Sequence, residues 1–331
     1  MSTAAAPAAA PMTDLASAGD LVSLASLSPK AISHIIDVAR TIKRDSADYT
    51  DLLRGKRLSM VFEKESLRTR FTFDIGMQDL GGSAVFLDLS SAARMGTRES
   101  VRDMARNLER WTHGIVARTY RHRTVLELAD TADVPVINGL SDHLHPCQAL
   151  ADTMTLVERW GDVKGRKLVY VGDGNNTCHS LMTAATKLGM NMVVCTPVGY
   201  EPDAEVTAVC EAAAAETGGD ITISSNLMES VHLADAVYTD VWASMGQEEE
   251  TEERAAVFSD YSITEDVMDA TKDGSSFMHC LPAHRGHEVS RGVIDGPRSI
   301  VFDIAENRLH AQKAVLALLL GPADAFDGGL V

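Results

Sequence analysis

The segment Ser66-Leu67-Arg68-Thr69-Arg70 carries the groups that hold a phosphate. It opens an amphipathic run through Phe71, Ile75 and Leu80, so it reads as the first turn of a helix. Such a turn presents unpaired N–H groups and a partial positive charge, to which Ser66 and Thr69 add hydroxyls and Arg68 a planar fork. Taken alone, an N-cap serine followed by solvated arginines explains the same letters equally well. A second cluster is His145-Pro146-Cys147-Gln148, in which His145 and Gln148 share one helical face. An imidazole N–H and a glutamine amide at that spacing can hold a carbonyl oxygen and an adjacent NH₂ group; a capping histidine and an exposed glutamine are the plainer alternative. Arg118, just past an apolar run, can add a donor to the same oxygen or serve as a surface ion pair.

Gly172-Asp173-Gly174-Asn175-Asn176 follows another apolar run and precedes a helical segment. It superficially suggests a dinucleotide fingerprint, but the third glycine is missing and no acidic residue ends the next strand, which reads Cys195-Thr196-Pro197. Asparagines at this turn suit the carboxylate and amine of an amino acid, or simply form the turn. Asp240 ends a later apolar run and can pair with a substrate ammonium; Ser244-Met245-Gly246 beyond it is the kind of glycine-bearing loop that closes as a lid. His279-Cys280-Leu281-Pro282 sets a cysteine at a strand end, where it can act as nucleophile, ligand or positioning group, or be inert core. No zinc site is expected, because the adjacent pairs Cys178-His179 and His279-Cys280 fall on opposite sides of an extended chain rather than at ligand spacing.

These clusters need elements to hold them. Short apolar runs rich in β-branched residues recur at 58–62, 84–87, 114–117, 134–137, 168–171, 192–195, 221–223, 236–238, 277–279 and 300–302, with helical-period segments between them. Strands alternating with helices imply an α/β protein with parallel sheets covered on both faces. The expected architecture is two doubly wound domains, each with a parallel five-stranded sheet, joined by a helix over 146–160 with Ser141 or Asp142 as its cap. Nearly every cluster follows a strand, and ligands of open parallel sheets bind beyond the carboxyl ends of the strands.

The 331 residues allow about two domains at roughly 150 residues each. With 45% apolar and 23% charged residues the composition is that of a globular protein. Lysine and arginine number 30 against 47 aspartates and glutamates, a net charge of −17, which argues against nucleic-acid binding. Anion binding would require the scarce cations to be gathered, and Arg68, Arg70, Arg118 and Arg308 are all expected at strand ends. Five cysteines without close pairing suit a reducing cytoplasm. Residues 1–13 have neither a signal-peptide nor a transit-peptide pattern and are expected to form a disordered tail, and no run approaches the ~20 residues of a membrane helix.

In order and context, FEKESLRTR, RESVRD, ART, HPCQALAD, VGDGNN, DVWASMGQE, HCLPAHRG and FDIAENRLHAQKA resemble the ornithine branch of the aspartate/ornithine carbamoyltransferase superfamily, from about Leu21 to Leu320. HCLPA together with D-x-W-x-SMG marks that branch. The resemblance implies transfer of the carbamoyl group of carbamoyl phosphate to the δ-amine of L-ornithine, giving citrulline and phosphate, with no cofactor or metal. It implies a cytoplasmic homotrimer or assembly of trimers, with no nucleic-acid or membrane partner. By motif position, Ser66, Arg68 and Thr69, with the amide of Leu67, hold the phosphate. Arg118, His145 and Gln148 hold the carbamoyl group, joined by the Cys280–Leu281 backbone and Arg308. Asn176, Asp240, Ser244 and Met245 hold ornithine, and Arg94, where the family usually has glutamine, reaches a neighbouring subunit's site. Arg118, His145, Asp240 and Cys280 carry the catalysis. The implied domains are 14–150 for carbamoyl phosphate, completed by a helix over 307–325, and 151–306 for ornithine. Leu67 stands where most ornithine enzymes have threonine, and N-acetylornithine carbamoyltransferases also carry leucine there, so N-acetylornithine or putrescine is the alternative acceptor. A nicotinamide-dependent oxidoreductase rests on GDGNN alone. A non-catalytic homologue sits poorly with the retained Arg68, Arg118, His145, Asp240 and Arg308.

Overall fold

The computed structural model describes residues 14–90, 95–243 and 250–326. Two apolar runs, buried almost without interruption, form the centre of a first parallel sheet: β1 (Arg57–Phe62) and β3 (Gly114–Arg118). Continuous burial is what a strand covered on both faces requires. β2 (Ser83–Asp88) and β4 (Val136–Leu140) complete the sheet in the order β2-β1-β3-β4. Its helices are α1 (Leu15–Ala18), α2 (Pro29–Arg44), α3 (Leu67–Asp79), α4 (Val101–Trp111) and α5 (His122–Thr131). The helix α6 (Pro146–Trp160) leads into a second parallel sheet, β5 (Lys167–Val171), β6 (Asn191–Cys195), β7 (Asp220–Ser224), β8 (Ala236–Thr239) and β9 (Ser276–His279), ordered β7-β6-β5-β8-β9. Around it lie α7 (Asn176–Lys187), α8 (Ala204–Thr217), α9 (Leu227–Val231), α10 (Thr251–Phe258), α11 (Glu265–Asp269), α12 (Arg291–Ile294) and α13 (Val301–Leu320).

The α/β architecture with two parallel sheets is as expected, with two differences. Among the described residues the first sheet has four strands rather than five; its β4 edge is extended only by a one-residue bridge from Leu21 to Ile137. The run 300–302 is not a strand. Ser299 bridges Phe277 at the edge of β9, and the chain then turns into α13, whose Val301 and Ile304 are buried at helical spacing while Phe302 is exposed. A three-residue apolar run cannot declare its own period. The closing helix therefore starts earlier than 307 and ends before 325, and Arg308 lies inside it rather than at a strand end. The cap of α6 also differs: His145 occupies the position without a side-chain cap bond, and Pro146 takes the first turn, where its missing N–H costs nothing.

One long helix ties the halves together. α13 packs on α2, α3 and α6 and also touches β9. Gly76 permits the close approach of α3, since a Cβ there would stand 3.3 Å from Lys313 Cγ.

Candidate active site

Both sheets reverse their winding beside a central strand. From β1 the chain moves outward to β2 and returns to β3 on the other side; from β5 it moves to β6 and returns to β8. Each reversal opens a crevice beyond the carboxyl ends of the strands. Ser66–Thr69 and Arg118 lie at the first crevice, and Asn175 and Asp240 at the second.

At the first crevice Ser66 caps α3, its Oγ accepting the Thr69 N–H at 3.2 Å, which leaves the earlier amides of the turn for a ligand. Arg308 reaches in from α13, 2% exposed, donating through Nη2 to Thr69 Oγ1 at 3.1 Å and through Nη1 to Gln148 Oε1 at 2.5 Å. Arg68 donates to the Leu281 carbonyl and so spans the cleft between the halves. Arg118, buried at the end of β3, feels both other guanidinium groups; burial, then Arg308 and Arg68, bring its pKa down to about 9. Three converging cations in a partly dry cleft favour an anion that neutralises them.

His145 sits beside them, also buried, its backbone N–H donating to Ser180 Oγ at 2.8 Å. Burial, reinforced by Arg308, Arg118 and Arg68, holds its pKa well below 6.5, so the ring is neutral at neutral pH. Its Nδ1 has no hydrogen-bond partner among the described residues. A neutral imidazole and a guanidinium at one place can polarise a carbonyl oxygen and stabilise the oxyanion that forms when its carbon is attacked.

The second crevice holds a carboxylate. Asp240 Oδ1 accepts the Cys280 thiol at 3.0 Å and the Val241 N–H at 2.8 Å, while Oδ2 accepts Asn175 Nδ2 at 3.1 Å. Burial and the neighbouring Asp240 charge push the Cys280 thiol well above its usual range, so it remains a donor rather than a thiolate nucleophile. Leu281, next in line, has φ of 57° and presents its backbone at the cleft.

The structure thus brings together Ser66, Arg68, Thr69, Arg118, His145, Gln148, Asp240, Cys280, Leu281 and Arg308. It separates others. Leu67 points outward, 68% exposed, and contributes only backbone to the turn. Arg70 lies 3.9 Å from the centre of the Phe86 ring, outside the cation cluster. Asn176 donates to the Ser141 carbonyl at 2.6 Å and so links the halves; its neighbour Asn175, offered by the sequence with it for an amino-acid ligand or as a turn former but not chosen as a site residue, is the one that meets Asp240. Arg94, Ser244 and Met245 lie outside the described residues. Gly174 approaches the chain at 201–202 so closely that a Cβ would meet Pro202 N at 2.4 Å, which gives the GDGNN glycine a packing reason.

Three contributors carried no clear signal of their own. Asp152 lies one turn beyond Gln148 and accepts its Nε2 at 2.9 Å. Glu63 accepts the N–H groups of Met95 and Tyr120, both at 2.8 Å, tying the end of β1 to the chain beyond β3. Arg254 on α10 joins Asp173 at 2.8 Å, the Trp242 carbonyl at 3.1 Å and Glu250 at 2.8 Å. Each is a charged residue whose partner is remote in sequence or falls inside a helix, so spacing could not single it out.

Asp240, His279 and Cys280 bring three ligand-type atoms within 4.8 Å of one another, although adjacent residues had been expected to diverge. Within the set the Cys280 thiol is already engaged with Asp240. His279 Nδ1 accepts the Leu281 N–H at 2.8 Å, its Nε2 lies 3.3 Å from Glu288 Oε1, and the Cys280 thiol is protonated. The set fits a positioning network better than a metal.

Two doubly wound domains with an anion-binding crevice facing a carboxylate-bearing one define a transferase that joins an anionic donor to an amine. Residues 19–158 match the family described as aspartate/ornithine carbamoyltransferase, carbamoyl-P binding domain, and residues 164–319 match its Asp/Orn binding domain. The chain belongs to the aspartate/ornithine carbamoyltransferase family. It is 52% identical over 304 residues to an ornithine carbamoyltransferase of Pyrococcus horikoshii, covering 91% of this chain and 96% of that one. The solved ornithine carbamoyltransferase of Pyrococcus furiosus superposes with a TM-score of 0.88 at 50% identity, covering 91% of this chain and 96% of that one. A solved N-acetyl-L-ornithine transcarbamylase superposes with a TM-score of 0.82 at 29% identity, covering 91% of this chain and 99% of that one.

Proposed function

We propose that the protein transfers the carbamoyl group of carbamoyl phosphate to the δ-amine of L-ornithine, releasing L-citrulline and phosphate. The observation that carries this reading is the convergence of Arg68, Arg118, Arg308 and neutral His145 on one side of a cleft whose other side presents Asp240 and Cys280. The α3 amides, Ser66, Thr69 and Arg68 hold the phosphate. Arg118 and His145 polarise the carbamoyl oxygen, Gln148 takes its amide group, and Arg308 and the Cys280–Leu281 backbone complete that pocket. Asp240, held by Cys280 and Asn175, receives the ornithine amine, with Asn176, Ser244 and Met245 as further partners.

Attack of the neutral δ-amine on the carbamoyl carbon forms the new C–N bond and pushes electrons onto the oxygen facing Arg118 and His145. Collapse of that intermediate breaks the C–O bond to phosphate, which leaves into the arginine cradle, and a phosphate oxygen takes the amine proton. Holding two small substrates in attack geometry can itself lower the barrier by roughly 7–11 kcal/mol, so positioning supplies much of the rate.

The relatives named ornithine carbamoyltransferase support free ornithine as acceptor, and one from Pyrococcus furiosus, 50% identical, is named anabolic, which supports the biosynthetic direction. The exposed Leu67 is the feature shared with N-acetylornithine enzymes; the Asp240–Cys280 pair favours a free amino acid. In this reading 14–150, completed by the closing helix α13, serve carbamoyl phosphate, and the residues from 151 up to that helix serve ornithine. Association with further copies, a homotrimer by the resemblance, is supported by an uncovered apolar face: Leu67, Phe71 and Ile75 on successive turns of α3 and Val85 and Leu87 on the edge strand β2. Arg94 would then serve a neighbouring site. Cytoplasmic residence is supported by the unpaired cysteines; among the described residues no helix is long and apolar enough to cross a membrane. Initial rates with ornithine, N-acetylornithine and putrescine as acceptors test the assignment.

A further inference from the structure

The orientation of one buried amide decides what the carbamoyl pocket can recognise. Gln148 is 1% exposed, and both ends of its side chain are held by residues that leave no choice. Arg308 has only donors, so its 2.5 Å contact must be with the amide oxygen. Asp152, 0% exposed and one helical turn further along α6, lies 2.9 Å from the other amide atom, which the Arg308 contact identifies as the nitrogen, and accepts from it. The oxygen of Gln148 is thereby turned towards Arg308, one of the cations of the first crevice, and the NH₂ towards Asp152. A carbonyl oxygen has two lone pairs and Arg308 uses one. What remains for a ligand is an acceptor.

We propose that Asp152 is a specificity-determining positioning residue: by holding the Gln148 amide with its oxygen towards the cleft, it selects an acyl phosphate whose acyl group carries NH₂ over one that carries CH₃. The inference rests on the assignment of the first crevice to carbamoyl phosphate. Carbamoyl phosphate and acetyl phosphate have nearly the same shape, so a pocket cannot separate them by size. It can separate them by a hydrogen bond, because a site built to accept from an N–H is left with an unsatisfied oxygen when the ligand brings a methyl group. If the amide were turned over, its NH₂ would face the ligand and would favour neither. Asp152 is in turn faced by the Tyr238 hydroxyl from β8, and Asp240 is near enough to raise its pKa. Burial pushes the carboxyl up to about 7, and Arg308 opposes that rise. Arg308 holds only the oxygen end, and without Asp152 the buried NH₂ has no acceptor, which favours a rotated side chain.

The test compares KM for carbamoyl phosphate with Ki for acetyl phosphate in the unaltered enzyme and in Asp152→Leu, which removes the acceptor at similar volume. The expected result is a KM for carbamoyl phosphate raised about tenfold and a Ki for acetyl phosphate unchanged to about twofold. A purely structural role would weaken both by the same factor. Parallel weakening, or no change in either, overturns the proposal. Should Asp152→Leu fail to fold, Gln148→Glu is compared with Gln148→Glu/Asp152→Asn. The single variant sets two carboxyl groups against each other, whereas the exchange restores a donor at 152 and an acceptor towards the cleft. Recovery of carbamoyl phosphate affinity in the exchanged pair, about fivefold or more over Gln148→Glu, is expected; equal affinities overturn the proposal. Absence of turnover in the unaltered enzyme would overturn the functional reading itself, and this inference with it.

Discussion

Cys280 shows how residue-scale chemistry depends on neighbours. As an isolated letter it could have been nucleophile, ligand or core, and spacing gave no means of choosing. Its thiol donates to Asp240 at 3.0 Å and is held protonated, which, on the proposed function, makes it a group that orients the carboxylate receiving the amine. Cys280→Ser keeps a donor of different length and acidity at that point. It is expected to reduce kcat/KM for ornithine about tenfold with an unchanged unfolding midpoint; unchanged kinetics would reduce Cys280 to packing. Most of the cation and imidazole set was legible from the sequence because Ser66, Arg68, His145 and Gln148 sit at a helix start, where residue type and position speak together. Asp152 and Asn175 were not, since an acidic residue inside a helix and an asparagine in a turn have common structural uses. Only the fold reveals that one meets Gln148 and the other Asp240.

At the scale of elements, the strands with continuous β-branched burial were readable, and the places where the reading failed were short. The 300–302 run looked like a strand, but its residues open α13 once the chain leaves the single bridge to Phe277. In β4 the strand continues beyond the apolar run at 134–137 through Asn138 and Gly139, polar and turn-forming types that carry no strand signal. Gly139 keeps room there, since a Cβ would stand 3.1 Å from Val116 Cγ1 and 3.4 Å from Thr69 Cγ2, under the first turn of α3. That turn depends on its cap. Ser66→Ala is expected to lower stability by about 1 kcal/mol in denaturant titration, as loss of an N-cap does. KM for carbamoyl phosphate should also rise about tenfold from loss of the hydroxyl, with little change for ornithine. A stability loss without a change in KM would show that Ser66 only caps α3.

For the whole molecule, the net charge of −17 describes the surface and says little about the cleft, where Arg68, Arg118 and Arg308 converge in the first crevice. The two-domain estimate from length became two sheets bound together by α6 and α13, a connection that composition could not show because α13 returns from the end of the chain to the first half. Burial has a further consequence across the fold. His122, His145, His179 and His310 are all held below 6.5, chiefly by desolvation. The unfolded chain therefore binds more protons than the folded one as pH falls through 6.5, so stability contributed by these neutral rings is present above that pH and lost below it. The Asp152 carboxyl, pushed up to about 7, works in the opposite direction between pH 7 and pH 5, so the histidine contribution is read in Asp152→Asn: there the unfolding midpoint should fall from pH 7 to pH 5, and a flat profile would contradict the burial of these rings. The central claim, a carbamoyl transfer to free ornithine, is tested most directly by initial rates of phosphate release and carbamoylated product with carbamoyl phosphate and each of ornithine, N-acetylornithine and putrescine. Citrulline from ornithine at a kcat/KM far above the other two is the expected result; no citrulline, or faster turnover of either competitor, would contradict it.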